Sequence, residues 1–68
     1  MNQNQNFLLV GYNVIARRLT RRGGVRRWRP LSSALVSTFE EAMKLRDEYL
    51  QEHLHCLVDI IPLYTNKN

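Results

Sequence analysis

Gly23 and Gly24 stand side by side in the middle of RRLTRRGGVRRWR, the run at positions 17–29. Adjacent glycines accept the positive φ angles that a two-residue hairpin turn requires and that other residues resist. The chain leading to them alternates from position 7 onward. Leu8, Val10, Tyr12, Val14 and Ala16 are apolar at the even positions, whereas the odd positions mix Phe7, Leu9 and Ile15 with Gly11 and Asn13. Such alternation is strand periodicity. A turn at the two glycines then returns the chain as a second strand over 25–29, with Arg22 facing Val25, Arg21 facing Arg26, Leu19 facing Trp28 and Arg18 facing Arg29. Pro30 has no amide hydrogen for a ladder, so this strand is expected to be short or to lie at an edge.

Ser37 and Thr38 each stand three residues before a glutamate, Glu40 and Glu41, which makes two overlapping capping boxes. A helix is expected to begin there. Phe39, Ala42, Met43, Tyr49, Leu50 and Leu54 fall on one stripe at helical spacing, with Glu41, Lys44, Glu48 and Gln51 opposite, so the helix is amphipathic. Positions 56–64 are apolar and β-branched, and read as a third strand. The fold class is therefore α+β: a small ββαβ domain, a three-stranded sheet with one amphipathic helix on one face and a basic hairpin arm. A strand-helix-strand crossover places strand three parallel to strand two and beside strand one, which becomes central. The even positions of strand one, with Val58 and Ile60, are the set expected beneath the helix. The single domain is expected over 7–64, between flexible polar ends at 1–6 and 65–68.

With 68 residues, a domain buries only roughly 60% of the surface its unfolded chain exposes. Disulfides or a structural metal often stabilise domains of this size. Cys56 is the single cysteine and forms no internal bridge, which leaves oligomerisation or a bound partner as the expected supplement. The longest nearly apolar run, 7–16, is about half the roughly 20 residues that span a bilayer, and no basic segment precedes it. A soluble, cytoplasmic chain with no membrane partner is expected. Chains this short seldom hold the surplus structure that an active-site pocket demands, so binding without a cofactor is expected rather than catalysis.

Charge indicates what is bound. Seven of the ten basic residues lie at 17–29, and five of the six acids, Glu40, Glu41, Asp47, Glu48 and Glu52, lie in the helix. Like charges opposed across a hairpin destabilise it by about 0.2–1 kcal/mol each, and an anionic partner would relieve them. The arm's cations are all arginine: Arg17, Arg18, Arg21, Arg22, Arg26, Arg27 and Arg29. Guanidinium grips phosphates and guanine edges in bidentate fashion, and a two-stranded ribbon fits the DNA major groove. Trp28 either stacks on an unpaired base or packs on Leu19 and the arginine stems. These eight residues are the candidate nucleic-acid-binding set, for DNA or RNA. On the sheet face away from the helix, Phe7, Leu9, Ile15, Leu57, Ile61 and Leu63 form a candidate interface, with a homodimer or another protein across it.

Smaller features read as structural. His53, His55 and Cys56 could supply three zinc ligands, but no fourth lies nearby and core or capping roles are expected. The cysteine and histidine also lack the orienting partner a thiol nucleophile needs. Arg46 sits on the helix stripe and either pairs with Asp59, the one acid outside the helix, or lays its stem on the core with its head in solvent. Ser32 and Ser33 read as turn residues. The acidic helix face reads as solvated surface that orients the arm toward anions.

The segment WRPLSS, followed by STFEEAMKLRDEYL, resembles the strand, turn and capped helix of arm-type DNA-binding domains of tyrosine recombinases over positions 25–50. That resemblance implies a small sheet laid against DNA. The family places three strands before its helix, whereas here two precede it and one follows. The ββαβ pattern in a short chain is also similar to small accessory proteins of bacteriophages and other mobile elements. Some of these bind host proteins and alter their activity, which implies an acidic host protein as the alternative partner.

Overall fold

A computed structural model describes residues 7–66, which fold as β1 (Phe7–Arg22), β2 (Val25–Val36), α1 (Phe39–Glu52) and β3 (Leu57–Asn66). The glycines take φ of 58° and 82° at Gly23 and Gly24, the two positive values of a type I′ turn. The hairpin register is the one such a turn dictates, from Arg22 opposite Val25 to Arg18 opposite Arg29. β1 is central in the order β2-β1-β3 and antiparallel to both neighbours, so β3 runs parallel to β2. The polar segment 1–6 and the last two residues lie outside the described residues, but Thr65 and Asn66, expected in the tail, belong to β3.

β2 is longer than expected and carries Ser32 and Ser33 within the strand rather than in a turn. Pro30 is tolerated for a geometric reason. Ladder bonds alternate away from a two-residue turn, and this alternation aims the nitrogen of Pro30 at the open edge, where no donor is required. Immediately after it the register slips: Arg17 faces Pro30, Ala16 faces Ser32, and Leu31 is the extra residue of a bulge. The strand then runs on to Val36.

A second bulge lies at Val10, between Leu9 opposite Tyr64 and Gly11 opposite Leu63. One inserted residue reverses which face the preceding side chains occupy. Phe7 and Leu9, expected on the open face, are consequently paired toward the helix side with Asn66 and Tyr64, and Leu8 takes the open side with Thr65. Gly11 is required at this point by space: a Cβ there would lie 2.6 Å from the Val36 carbonyl oxygen.

The core is small. Val14, Ala16, Ala42 and Tyr49 are buried, and Tyr12, Leu31, Val36, Leu45, Val58 and Ile60 pack around them. Tyr12, Val14 and Ala16 of β1 and the pair Val58 and Ile60 face the helix as their alternation implies, whereas Leu8, expected with them, is turned to the open side by the bulge and Val10 is the exposed bulge residue. The helix is turned slightly from its expected phase: Leu45 packs with Ala42 and Tyr49, whereas Leu50 is exposed; Leu54, expected on the same stripe, lies beyond the helix end and is exposed too. Phe39 is half-exposed, with its ring meeting Tyr12 edge-on at 5.6 Å. Of the two possible capping boxes, Thr38 makes the one observed. Its hydroxyl accepts from the Glu41 amide at 3.1 Å, and the Glu41 carboxylate accepts from the Thr38 amide at 3.1 Å.

The helix ends at His53, whose amide donates to the Tyr49 carbonyl at 2.9 Å. His55 adopts the left-handed conformation, φ 57°, and Cys56 Sγ lies 3.8 Å from the same Tyr49 carbonyl. These residues close the helix and turn the chain into β3. Among the described residues, no group of three or more histidine, cysteine or acidic side chains is placed to hold a metal ion, and no helix is long and apolar enough to cross a membrane.

Candidate nucleic-acid interface

The third strand stops supporting β1 at Arg17, opposite Leu57. Beyond it, 18–22 and 25–29 pair only with each other, as a two-stranded ribbon about 17 Å long at roughly 3.3 Å per residue. Every residue from 21 to 30 is exposed. Cross-strand partners share a face, so the register sorts the arginines. Arg18, Arg22, Arg27 and Arg29 lie on the helix side, and Arg17, Arg21 and Arg26 lie on the open side. On the helix side the twisted ribbon encloses an open depression of about 620 Å³ bordered by Arg22, Arg27 and Arg29, with Thr20, Val25, Trp28 and Pro30. Thr20 steadies its floor by donating from its hydroxyl to the Arg27 carbonyl at 3.2 Å.

Arg17 differs from the other six. Its guanidinium pairs with Asp59 and lies 5.3 Å from the centroid of the Trp28 ring, so one chain of contacts crosses the open face from β3 through β1 to β2. Trp28 is opposite Leu19, has this cation over its ring, and keeps 47% of its surface exposed. The arrangement braces the base of the ribbon. Arg46, by contrast, does not reach Asp59. Its guanidinium lies 3.4 Å from Asp47, its neighbour on the helix, because Asp59 is on the open face and the helix covers the other.

Among the described residues, Arg18, Arg21, Arg22, Arg26, Arg27 and Arg29 make no ion pair. The helix acids lie on the sheet's helix side and are exposed. This separation gives the molecule a cationic end, and an approaching polyanion is drawn to the ribbon and repelled by the helix. Chemically, the ribbon presents unpaired guanidinium groups on both faces, each able to make bidentate bonds to phosphate.

No protein-family model, curated protein or solved structure matches the chain. Its chemistry therefore has to be read from its own side chains.

Ile15, Leu57, Ile61 and Leu63 lie on the open face as expected. Leu57 is 53% exposed and Ile61 43%, while Ile15 and Leu63 are partly buried. Leu35 of β2, 71% exposed, joins them opposite Asn13 and was hidden from the sequence because β2 was expected to end early. Ser32 and His53 form a second unforeseen contact, with Oγ 3.2 Å from Nε2. That same nitrogen is 3.9 Å from the Glu52 carboxylate, so this acid does not orient the other ring nitrogen in the manner of a nucleophilic triad. The pair ties the helix end to β2. The Arg17 to Asp59 contact was within reach of strand alternation, which assigns both residues to the same face.

Proposed function

We propose that the protein is a small, non-enzymatic nucleic-acid-binding protein that uses its arginine ribbon to neutralise phosphates. The observation that carries this reading is the set of six arginines without acidic partners among the described residues, five of them exposed and Arg18 partly buried, standing beyond the last support of the third strand. Two like-charged pairs, Arg18 with Arg29 and Arg21 with Arg26, lie directly opposite across it. Folding gains nothing from such pairs, whereas a polyanion is bound by them. Arg17 and Trp28 act as the brace at the ribbon's base, and the likeness to small phage and mobile-element accessory proteins fits a small cytoplasmic binder of this kind.

The deciding experiment is fluorescence anisotropy with short duplex DNA, single-stranded DNA and RNA across a salt series. Binding whose log affinity falls with log salt by several units, at about 0.9 per phosphate contacted for B-DNA, is expected. Absence of binding to all three at low salt would overturn the reading. A second reading, a phage-type protein that binds and modulates an acidic host protein through the ribbon or the open face, is favoured by the exposure of Leu35, Leu57 and Ile61. It then becomes the leading one.

A further inference from the structure

We infer that the open sheet face is a homodimer interface, in which two copies stack these faces to make a four-layer helix-sheet-sheet-helix sandwich. The first argument is the size of the core. Among the described residues the only buried hydrophobic side chains are those of Val14, Ala16, Ala42 and Tyr49, all on one side of the sheet, and a domain this small gains little stability from so few side chains. The second is area. The chain exposes 5483 Å² for a mass of 8.1 kDa, whereas a folded monomer of that mass exposes about 4,500 Å². That excess belongs to the chain as a whole, and the open face supplies only part of it. The ribbon's share of that excess is arginine surface that water solvates well. The open face's share is apolar and crosses all three strands through Leu8, Ile15, Leu35, Leu57, Ile61 and Leu63.

Two features favour a second copy over a different protein. Asn13 sits near the middle of the patch, between Leu35 and Ile61, and its amide carries both a donor and an acceptor. Across a two-fold axis it can bond to Asn13 of the second copy, so that each Asn13 amide meets a donor and an acceptor. The charged groups on this part of the face, Arg17 and Asp59, already neutralise one another, so stacking buries no unpaired charge and needs no partner of opposite sign. The ribbons set the direction. Their unpaired arginines repel, which places the two-fold axis across the strands and sends the ribbons out from opposite ends.

Sedimentation equilibrium of the full chain without nucleic acid tests this independently of the ribbon's ligand. The expected result is a particle of twice the chain mass, with a melting temperature that rises with protein concentration over about 1–100 µM because folding and association are linked. Ile61→Asp and Leu57→Asp should each abolish the dimer, and Arg26→Glu should leave it intact. If the aspartate variants do not fold, the concentration dependence of the unmodified chain decides. A monomer at the highest concentration with a concentration-independent melt overturns the inference and assigns the face to another protein. A dimer that survives both aspartate variants and is lost in Arg26→Glu overturns it as well, by placing the contact between ribbon and acidic helix.

Discussion

Arg26→Glu should stabilise the protein while weakening its binding, and the size of the first effect follows from the register. Arg21 and Arg26 are direct partners across the ribbon, at a position whose Cα atoms lie about 4.5 Å apart in antiparallel pairs. Two guanidinium charges about 6 Å apart in water repel by about 0.7 kcal/mol. Glutamate turns this into an attraction of similar size, a swing of about 1.4 kcal/mol that screening at 0.1 M salt reduces to about 0.8 kcal/mol. For a domain of this size the change raises the melting temperature by about 3–6 °C. In 1 M salt, where the Debye length is about 3 Å, the gain shrinks to about 0.2 kcal/mol and nearly vanishes from the melt. Thermal unfolding followed by circular dichroism at both salt concentrations measures this directly. Anisotropy with the preferred nucleic acid should meanwhile show weaker binding and a salt slope lowered by about 0.9 or more, as one phosphate contact is lost. A melting temperature that falls, or a gain that persists unchanged in 1 M salt, refutes the premise that the ribbon holds uncompensated repulsion.

Gly11→Ala should destabilise by about 1–3 kcal/mol, read as a lower urea midpoint, because its Cβ would lie 2.6 Å from a backbone oxygen. Gly24→Ala, with nothing within 4 Å but φ at 82°, should cost about 1–2 kcal/mol through backbone conformation instead. Thr38→Ala should remove about 1 kcal/mol of helix stability, and Thr38→Ser should retain most of it; equilibrium unfolding of the two variants makes the comparison. Asp59→Asn should change global stability by less than about 1 kcal/mol, as is usual for a half-exposed pair, yet alter the emission of Trp28, the single tryptophan. An unchanged spectrum would count against Asp59 holding Arg17 over the ring.

The hairpin was readable because two adjacent glycines leave one tight turn available, and a turn of known length fixes every pair behind it. The position of β3 followed similarly from the geometry of a crossover. What escaped were the two bulges, and most other differences descend from them. A bulge adds one residue without any compositional mark, although Gly11 beside Val10 and Pro30 beside Leu31 show in retrospect where the ladder could slip. The slip at Val10 moved Phe7 and Leu9 from one face to the other. The one at Leu31 let β2 continue past proline and bring Leu35 to the open face. Helical periodicity likewise gave a stripe but not its centre. Leu45 displaced Leu50 because the helix covers only part of the sheet and a stripe does not specify which flank meets it, and Leu54 fell off the stripe because the helix ends at Glu52. The contact between Ser32 and His53 joins elements far apart in sequence, and no local signal marks it.

The placement of Arg17 resolves an otherwise awkward feature of this architecture. A two-stranded ribbon is marginal in water without a third strand or a helix beneath it, and here the ribbon also carries like charges opposite each other. Stability must therefore enter from its ends. At the tip, the glycines supply a turn whose twist matches the strands. At the base, where β3 terminates, Asp59 holds Arg17, Arg17 covers Trp28, and Trp28 faces Leu19. One arginine of seven is thereby used as structure so that the remaining six can be presented without partners. Replacing Arg17 should then disturb binding through the orientation of the ribbon, whereas replacing Arg22 or Arg27 should act through phosphate contacts alone, and only the latter losses should appear as a proportionate fall in salt slope.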